Sequence, residues 1–355
     1  MCKCMSNAGS FSLVNTRNVY NRMQDEVSKS IYISRALYAI TGVKGFLKDS
    51  LYGMEYKGFY DELPKDRPYY IFGAGMWGWY FSRLFDILGI QVLGFIDNDK
   101  EKQGNLWYGR KVFELNAIEK SNDIYIYICN KNNHNEIFVQ LIEMGWDKSS
   151  ILDFNEKAKI CLESLQKKQY FDLPYFSFSR DEVFVDAGFC DGSTTQSFID
   201  WVSGEFKEIY CFELDKANYE LYKDEIYASY GEKVKIFNKG VWSEEKRLKY
   251  LGGLKGSSRL SDDGDQTADL IDLDTCLKDK KVTFIKMDVE GAELEALKGA
   301  RDLILINRPK LAICIYHKVD DIFTLPQYLL SLHSDYKFAL RHYGLSDTET
   351  VLYAW

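Results

Sequence analysis

Short apolar segments alternate with stretches of helical periodicity in two separate blocks of the chain. This alternation restricts the possible folds more than any other feature of the sequence. The first block covers residues 68–154, and the second covers residues 179–355. Strands that alternate with helices predict parallel sheets whose strands are joined by helical crossovers. The chain is therefore predicted to be an α/β protein with two sheet-containing domains.

The remaining residues divide these domains. A helical pattern at 1–67 precedes the first block, and a polar stretch at 155–178 links the two blocks. The blocks share the same strand-helix plan but no sequence repeat. We therefore expect two different Rossmann-like domains, with a helical lead-in and a linker.

Charge and composition exclude several classes of partner. The chain has 45 basic and 53 acidic residues, a formal net charge of −8 and no local basic patch, so we expect no nucleic-acid partner. It has no apolar run of about 18 residues, the length needed to span a membrane. Residues 1–18 lack the apolar core of a signal peptide. We therefore expect a cytoplasmic protein.

The eight cysteines do not form the pattern of a zinc site, which needs two closely spaced pairs of Cys or His ligands. Cys2 and Cys4 are close together, but no second pair accompanies them. We expect reduced cysteines that act as small apolar side chains in the core.

A glycine-rich turn opens the second block. The apolar strand at 183–185 ends in Asp186, and Gly188, Gly192 and Ser193 follow before a helix predicted to begin at Thr194. Glycines let a ligand approach the backbone closely, and the N-terminus of a helix offers free N–H donors. The turn is therefore predicted to bind a ligand.

Two acids at strand ends indicate which ligand binds. Glu213 ends the next strand, where an acid can accept hydrogen bonds from ribose hydroxyls. Asp186 would repel a pyrophosphate but suits a ligand that carries an ammonium group beside a nucleoside. S-adenosylmethionine has both features and is the predicted cofactor.

A second group of acids follows the strand at 283–287. Asp288 and Glu290 lie where open α/β sheets bind ligands, and Gly291 opens a helix. The alternative is a set of solvated acids at the start of a helix. Carboxylate oxygens here would suit Mg²⁺, although we predict no metal.

These strings resemble the FkbM-type methyltransferases over about residues 180–355. The motifs that carry the resemblance are Asp186 to Gly188, Asp191-Gly192, Glu213 to Asp215, Lys286 to Glu293, Gly299-Ala300, Ile315 to Lys318, Arg341-His342 and Thr350 to Ala354.

The resemblance implies a class I fold, in which a seven-stranded sheet with an antiparallel last strand binds S-adenosylmethionine. It places Asp186, Gly188 and Gly192 beside the methionine part and Glu213 on the ribose. It also implies methyl transfer, usually to a hydroxyl oxygen. We therefore expect a sugar or another polyhydroxylated acceptor, free or nucleotide-linked.

Methyl transfer to a hydroxyl requires an in-line approach and removal of the hydroxyl proton. His317 follows the strand at 310–316, on the same sheet edge as Asp288, and is the predicted general base. Asp288 and Glu290 are the alternatives, either as base or as groups that orient the acceptor or the histidine. A hydrogen-bonded structural role for His317 remains open.

The polar loop at 252–265 has two interpretations. It either closes over the acceptor through Ser257, Ser258 and Arg259, or it is a disordered loop on the surface.

The first domain carries a weaker motif. Gly73, Gly75 and Gly78 follow a strand, and Asp97 ends the next one, which is the spacing of a dinucleotide-binding site. The domain also resembles small Rossmann-like modules of bacterial surface-sugar metabolism. It is predicted either to bind a nucleotide or nucleotide-sugar or to serve a structural or partner-docking role.

The preferred interpretation is a cytoplasmic S-adenosylmethionine-dependent O-methyltransferase that acts in glycan assembly. One alternative is an NAD-dependent oxidoreductase that uses the glycine motif at 73–78. The other is a non-catalytic scaffold in glycan biosynthesis. Self-association and binding to a glycan-synthesis partner both stay open.

Overall fold

The computed structural model describes residues 12–52, 57–130, 132–252 and 258–355. Cys2, Cys4 and Ser257 lie outside the described residues. The chain divides into two compact units. Unit 1 comprises the chain up to Tyr32, Lys168–Arg341 and Glu349–Trp355. Unit 2 comprises Ile33–Lys167 and His342–Thr348.

This division is not contiguous along the chain, whereas the predicted boundaries were. The predicted lead-in is shared between the two units, and a short segment close to the C-terminus groups with unit 2. Hydrophobicity patterns describe local segments, so they do not show that distant segments join one unit.

Helices and strands are numbered in chain order over the described residues. The helices are α1 Leu13–Arg22, α2 Glu26–Thr41, α3 Lys48–Tyr52, α4 Lys57–Glu62, α5 Met76–Leu88, α6 His134–Glu143, α7 Asn155–Lys168, α8 Ser193–Trp201, α9 Lys216–Tyr230, α10 Leu273–Cys276, α11 Glu293–Lys298, α12 Arg301–Asn307 and α13 Asp321–Leu332. The strands are β1 Tyr69–Phe72, β2 Val92–Ile96, β3 Leu106–Trp107, β4 Arg110–Phe113, β5 Tyr125–Ile128, β6 Ile151–Leu152, β7 Val183–Ala187, β8 Glu208–Phe212, β9 Val234–Phe237, β10 Gly240–Val241, β11 Lys246–Leu251, β12 Arg259–Leu260, β13 Gln266–Ile271, β14 Phe284–Met287, β15 Lys310–Cys314, β16 Phe338–His342 and β17 Thr350–Ala354.

Unit 2 contains a sheet with the strand order β3-β4-β2-β1-β5-β6. Its central strands are parallel, as the alternation of strands and helices predicted. The antiparallel pair β3–β4 was not predicted. Tyr108 and Gly109 connect these two strands, and both have positive φ angles, as a tight two-residue hairpin requires.

Unit 1 is built on a larger sheet, in which the described strands have the order β16-β17-β15-β14-β7-β8-β9. Strands β7, β8, β9, β14 and β15 are mutually parallel, whereas β17 is antiparallel to β15. Lys337 and Trp355 exchange both backbone hydrogen bonds, so β16 and β17 also form an antiparallel pair. The predicted α/β class is confirmed.

A smaller sheet with the order β10-β13-β11-β12 is inserted between β9 and β14. The described part of the loop predicted at 252–265 differs from the expectation, because Arg259 and Leu260 pair with β11. Three of the six residues of β11 are the basic side chains Lys246, Arg247 and Lys249, so its sequence resembles an exposed loop.

Among the described residues, no helix combines the length and the apolarity that a membrane span requires.

Aromatic rings fill the core beside β7. Phe184 and Phe198 stack with their centroids 4.2 Å apart, and Phe284 lies edge-on to both rings. Both stacked side chains are fully buried. This packing anchors helix α8 to the strand that precedes the glycine-rich turn.

We predict that Phe198→Ala lowers the free energy of unfolding by about 3–5 kcal/mol, because it leaves a cavity in this cluster. Urea denaturation followed by circular dichroism measures the loss. Leu221→Ala is the control, since Leu221 is 67% exposed on α9. An equally small loss in both variants would contradict the assigned packing.

Candidate functional site

The glycine-rich turn after β7 lies directly against the end of β14. Gly188 has a φ of +88°, and a Cβ atom there would lie 1.8 Å from the carbonyl oxygen of Asp288. Gly192 has a φ of +79°, and a Cβ atom there would lie 2.8 Å from the ring of Phe189. Both positions therefore require glycine, and the turn brings the ends of β7 and β14 together.

Asp186 lies in the penultimate position of β7, one residue before the strand ends, and its carboxylate is fully buried and does not face a ligand. One oxygen accepts a hydrogen bond from Lys286 Nζ at 3.0 Å, and the other accepts one from Thr195 Oγ1 at 2.8 Å. Lys286 Nζ also donates to the carbonyl oxygen of Gly188 at 2.6 Å. This buried pair therefore connects β7, β14, α8 and the glycine-rich turn.

The charge on Lys286 is retained in this buried position. Burial alone would lower the pKa of Lys286, but the negative charges of Asp186 and Asp288 outweigh that effect and raise it. The geometry of Lys286 is therefore that of a structural ion pair with Asp186.

Glu213 follows β8 at the predicted position and is 5% exposed. Its two carboxylate oxygens accept hydrogen bonds from the backbone N–H groups of Cys190 and Asp215, each at 2.7 Å. Burial raises its pKa, although these two hydrogen bonds act in the opposite direction. Glu213 therefore fixes the glycine-rich turn from the neighbouring strand.

A cavity that opens to solvent lies at the ends of β7, β8 and β14. One wall is polar and includes Glu213, Asp288 and Glu290, while Leu260 and Leu270 of the smaller sheet form an apolar wall.

Gly240 adjoins the apolar wall of this cavity. A Cβ atom at Gly240 would lie 2.6 Å from the Leu270 side chain and 2.7 Å from the Leu214 side chain. The backbone is therefore close-packed beside this wall of the cavity.

Asp288, Glu290, Glu293 and His317 form an acidic cluster around one imidazole, which we call the acid–histidine cluster. Asp288 accepts hydrogen bonds from Tyr170 Oη at 3.1 Å and Tyr316 Oη at 3.4 Å. His317 Nδ1 donates to Glu293 Oε1 at 2.8 Å. His317 Nε2 lies 3.5 Å from Asp288 Oδ1 and 3.7 Å from Glu290 Oε2. Strand β14 and the segment after β15 thus meet as predicted.

The electrostatics of the cluster favour a positively charged imidazole. Burial alone would lower the pKa of His317, but hydrogen bonding to Glu293 and the nearby carboxylates raise it to about 10. Burial raises the pKa of Glu290 to about 7 despite the attraction of His317. An imidazolium has no free lone pair, so His317 in this state cannot accept a proton from a hydroxyl.

Sequence reasoning missed two residues near Asp288. Tyr170 lies in the predicted linker, where no periodicity marked it as a site residue. Glu349 accepts a hydrogen bond from Gln169, and burial together with the charge of Asp288 raises its pKa. Both have positive φ angles, which are uncommon for residues other than glycine.

The glycine motif of unit 2 has a packing explanation. A Cβ atom at Gly73 would lie 2.4 Å from the Cys129 carbonyl oxygen, and one at Gly78 would lie 1.9 Å from the Gly73 carbonyl oxygen. Gly75 has open space around it. Asp97 accepts a hydrogen bond from the Ala74 N–H at 2.8 Å, which places a negative charge where a dinucleotide phosphate would approach.

A second cavity in unit 2 adjoins Gly73 and Asp97. Its volume is about 660 Å³, and its lining is rich in amide side chains, namely Asn98, Asn130, Asn133 and Gln140. Such a lining offers both donors and acceptors to a polar ligand.

Two parts of the chain match models of known protein families. Residues 186–344 match the model of the methyltransferase FkbM domain, and residues 67–152 match the model described as C2185-like, N-terminal. The match over residues 186–344 confirms the resemblance to the FkbM methyltransferases found in the sequence. No curated protein matched the chain.

Solved structures similar to the chain include methyltransferases. Methyltransferase FkbM from Methylobacillus flagellatus KT has a TM-score of 0.54 and 19% identity, over 93% of this chain and 99% of that chain, which shows a shared fold. An rRNA methylase from Streptococcus thermophilus has a TM-score of 0.33 and 15% identity, over 57% of this chain and 93% of that one. A putative methyltransferase from Streptococcus mutans in complex with SAH has a TM-score of 0.29 and 14% identity, over 49% and 88% of the two chains.

We predict that Gly188→Ala destabilises the protein more than Gly204→Ala does. Both glycines have positive φ angles, but a Cβ atom at Gly204 has no atom within 4 Å. The control should therefore lose about 1–2 kcal/mol from backbone strain, and Gly188→Ala should lose about 1–3 kcal/mol more from the clash. Urea denaturation measures both losses, and equal values would be inconsistent with the close approach to β14.

A double-mutant cycle tests the buried pair. Lys286→Met alone should cost about 3–5 kcal/mol of stability, because it leaves the Asp186 charge buried without a partner. The combined Asp186→Leu and Lys286→Met variant should recover much of that loss. Additive losses in the unfolding free energies would show that the two side chains do not act as a pair.

Proposed function

We propose that the chain is an S-adenosylmethionine-dependent O-methyltransferase that methylates a hydroxyl of a sugar or another polyhydroxylated glycan precursor. The observation that carries this proposal is the cavity at the ends of β7, β8 and β14, which lies within an FkbM methyltransferase domain. S-adenosylmethionine supplies the methyl group when it is bound.

The residues around the cavity fit such a cofactor. Gly188 packs against Asp288, and Gly240 packs against the side chains of Leu214 and Leu270, so the backbone that lines the cavity is fixed in place. Each Glu213 oxygen accepts one backbone hydrogen bond and retains a lone pair for a ribose hydroxyl. Leu260 and Leu270 offer an apolar surface for a flat base.

The role proposed for Asp186 differs from direct ligand contact. Its carboxylate accepts a hydrogen bond from Lys286 Nζ, and Lys286 Nζ also donates a hydrogen bond to the carbonyl oxygen of Gly188. Asp186 is therefore proposed as a positioning residue for the turn. Gly192 and Ser193, at the N-terminus of α8, are proposed to contact the cofactor.

The acceptor is proposed to enter beside the acid–histidine cluster. Asp288 and Glu290 line the cavity, and carboxylates are strong acceptors for hydroxyl donors. An acceptor with several hydroxyl groups could be oriented by both side chains, which supports a sugar-like substrate. His317 lies behind them and orients these acids.

The glycine motif of unit 2 does not favour an NAD-dependent activity. The Asp97 carboxylate already accepts the hydrogen bond of the Ala74 N–H group. It is negatively charged, as a phosphate is, so it would repel a dinucleotide phosphate at this position. The amide-lined cavity beside it supports instead a polar ligand of the nucleotide-sugar kind.

Calorimetry with S-adenosylhomocysteine and with NAD tests the proposed function. We expect the chain to bind S-adenosylhomocysteine, and Glu213→Ala to weaken that binding at least about tenfold, because hydrogen bonds to a charged group contribute about 1.5–3 kcal/mol each. Glu245→Ala is the control, since Glu245 is 75% exposed. Binding of NAD without binding of S-adenosylhomocysteine would refute the proposal.

A further inference from the structure

His317 presents a buried nitrogen without a partner to two carboxylates. The side chain is 9% exposed, and its Nε2 atom makes no hydrogen bond within the described part of the chain. A buried polar atom without a partner is costly, and such atoms in native structures often mark a missing water or ion. The unpartnered nitrogen points to the space between Asp288 and Glu290.

We propose that His317 Nε2, Asp288 and Glu290 bind a divalent transition-metal ion, with Glu293 supporting the imidazole. The separations of 3.5 Å and 3.7 Å from Nε2 to the two carboxylate oxygens exceed normal hydrogen-bond lengths. Ligands about 2.1 Å from one metal ion lie roughly 3.0–3.4 Å apart at octahedral or tetrahedral angles. Each of the two carboxylate oxygens therefore lies a few tenths of an ångström further from Nε2 than two ligands of one metal ion do.

Glu293 is placed to orient the metal-binding imidazole. Its Oε1 atom accepts a hydrogen bond from His317 Nδ1 at 2.8 Å and from the backbone N–H groups of Val289 and Gly291 at 3.1 and 3.3 Å. Metal-binding histidines usually donate their second ring N–H to a carboxylate or carbonyl oxygen. Candidate ligand atoms of Asp288, Glu293 and His317 all lie within 4.8 Å of one another. Because Glu293 is hydrogen-bonded to His317 Nδ1, it orients the imidazole and leaves Nε2 to face the ion.

The local charge also favours a cation. Three carboxylates surround one imidazole, and the adjacent Lys286 is already paired with Asp186. In the metal-free cluster, the imidazolium supplies one positive charge. A divalent ion that replaces the Nε2 proton, which is released to solvent, would supply two.

The donor set and its position define the type of ion. One imidazole and two carboxylates suit Mn²⁺, Fe²⁺ or Zn²⁺, whereas Mg²⁺ and Ca²⁺ prefer oxygen ligands alone. Asp288 and Glu290 line the cavity, so an oxygen atom of a bound molecule could complete the coordination. The site extends beyond the proposed methyl transfer, because the ion binds without donor or acceptor.

Titration of the full, chelator-treated chain with Mn²⁺ tests this inference by calorimetry, with neither methyl donor nor acceptor present. We expect one ion per chain, and at least about tenfold weaker binding in His317→Ala and in Glu290→Gln. Glu295→Gln is the control and should bind as the unchanged chain does, since Glu295 pairs with Ser243 and Lys298 outside the cluster.

Pulsed electron paramagnetic resonance of the Mn²⁺-loaded unchanged chain provides a second readout that does not depend on the folding of a variant. A coupling to an imidazole nitrogen is expected, and it should vanish in His317→Ala. The absence of a stoichiometric site, of this coupling, or of any difference between Glu290→Gln and the control would overturn the inference. S-adenosylhomocysteine binding is measured separately, so failure of the metal site leaves the proposed function intact.

Discussion

The ion pair between Lys286 and Asp186 is the interaction on which the geometry of the site depends. Lys286 comes from β14 and Asp186 from β7, and neither side chain has appreciable contact with solvent. Burying one charge without the other is strongly unfavourable, so the two strands must stay in register. The third contact of Lys286, with the Gly188 carbonyl oxygen, extends this constraint to the turn.

The acids at the cavity take different roles because their surroundings differ. Asp186 is closed off by its ion pair, and Glu213 is held by backbone N–H groups but borders the cavity. Asp288 and Glu290 face the cavity and share one imidazole. Carboxylates at the ends of adjacent strands can thus serve as structural anchor, ligand contact or acceptor site.

The sequence was sufficient to locate the strand ends of the larger sheet. A strand buried on both faces is a continuous apolar run, so the polar residue that stops it marks the edge of the sheet. Asp186, Glu213 and Asp288 were found in this way. The direction of each side chain was not predictable, because it depends on partners far away in the chain. Lys286, the partner of Asp186, lies 100 residues further on.

Other features had no local signal. Tyr170 reaches Asp288 from a segment that its composition marked only as a linker, and β11 is too polar to be distinguished from a loop. Helix α13 begins at Asp321 and contains Pro326 in its interior, although proline is best tolerated in the first turn of a helix, so its start had no local signal.

A crystal structure of the chain with S-adenosylhomocysteine tests the central claim most directly. The ribose should lie within hydrogen-bonding distance of Glu213, while Asp186 stays bonded to Lys286 beneath the turn. A ligand bound elsewhere, or an Asp186 carboxylate that leaves Lys286 to contact the ligand's amino group, would contradict the account.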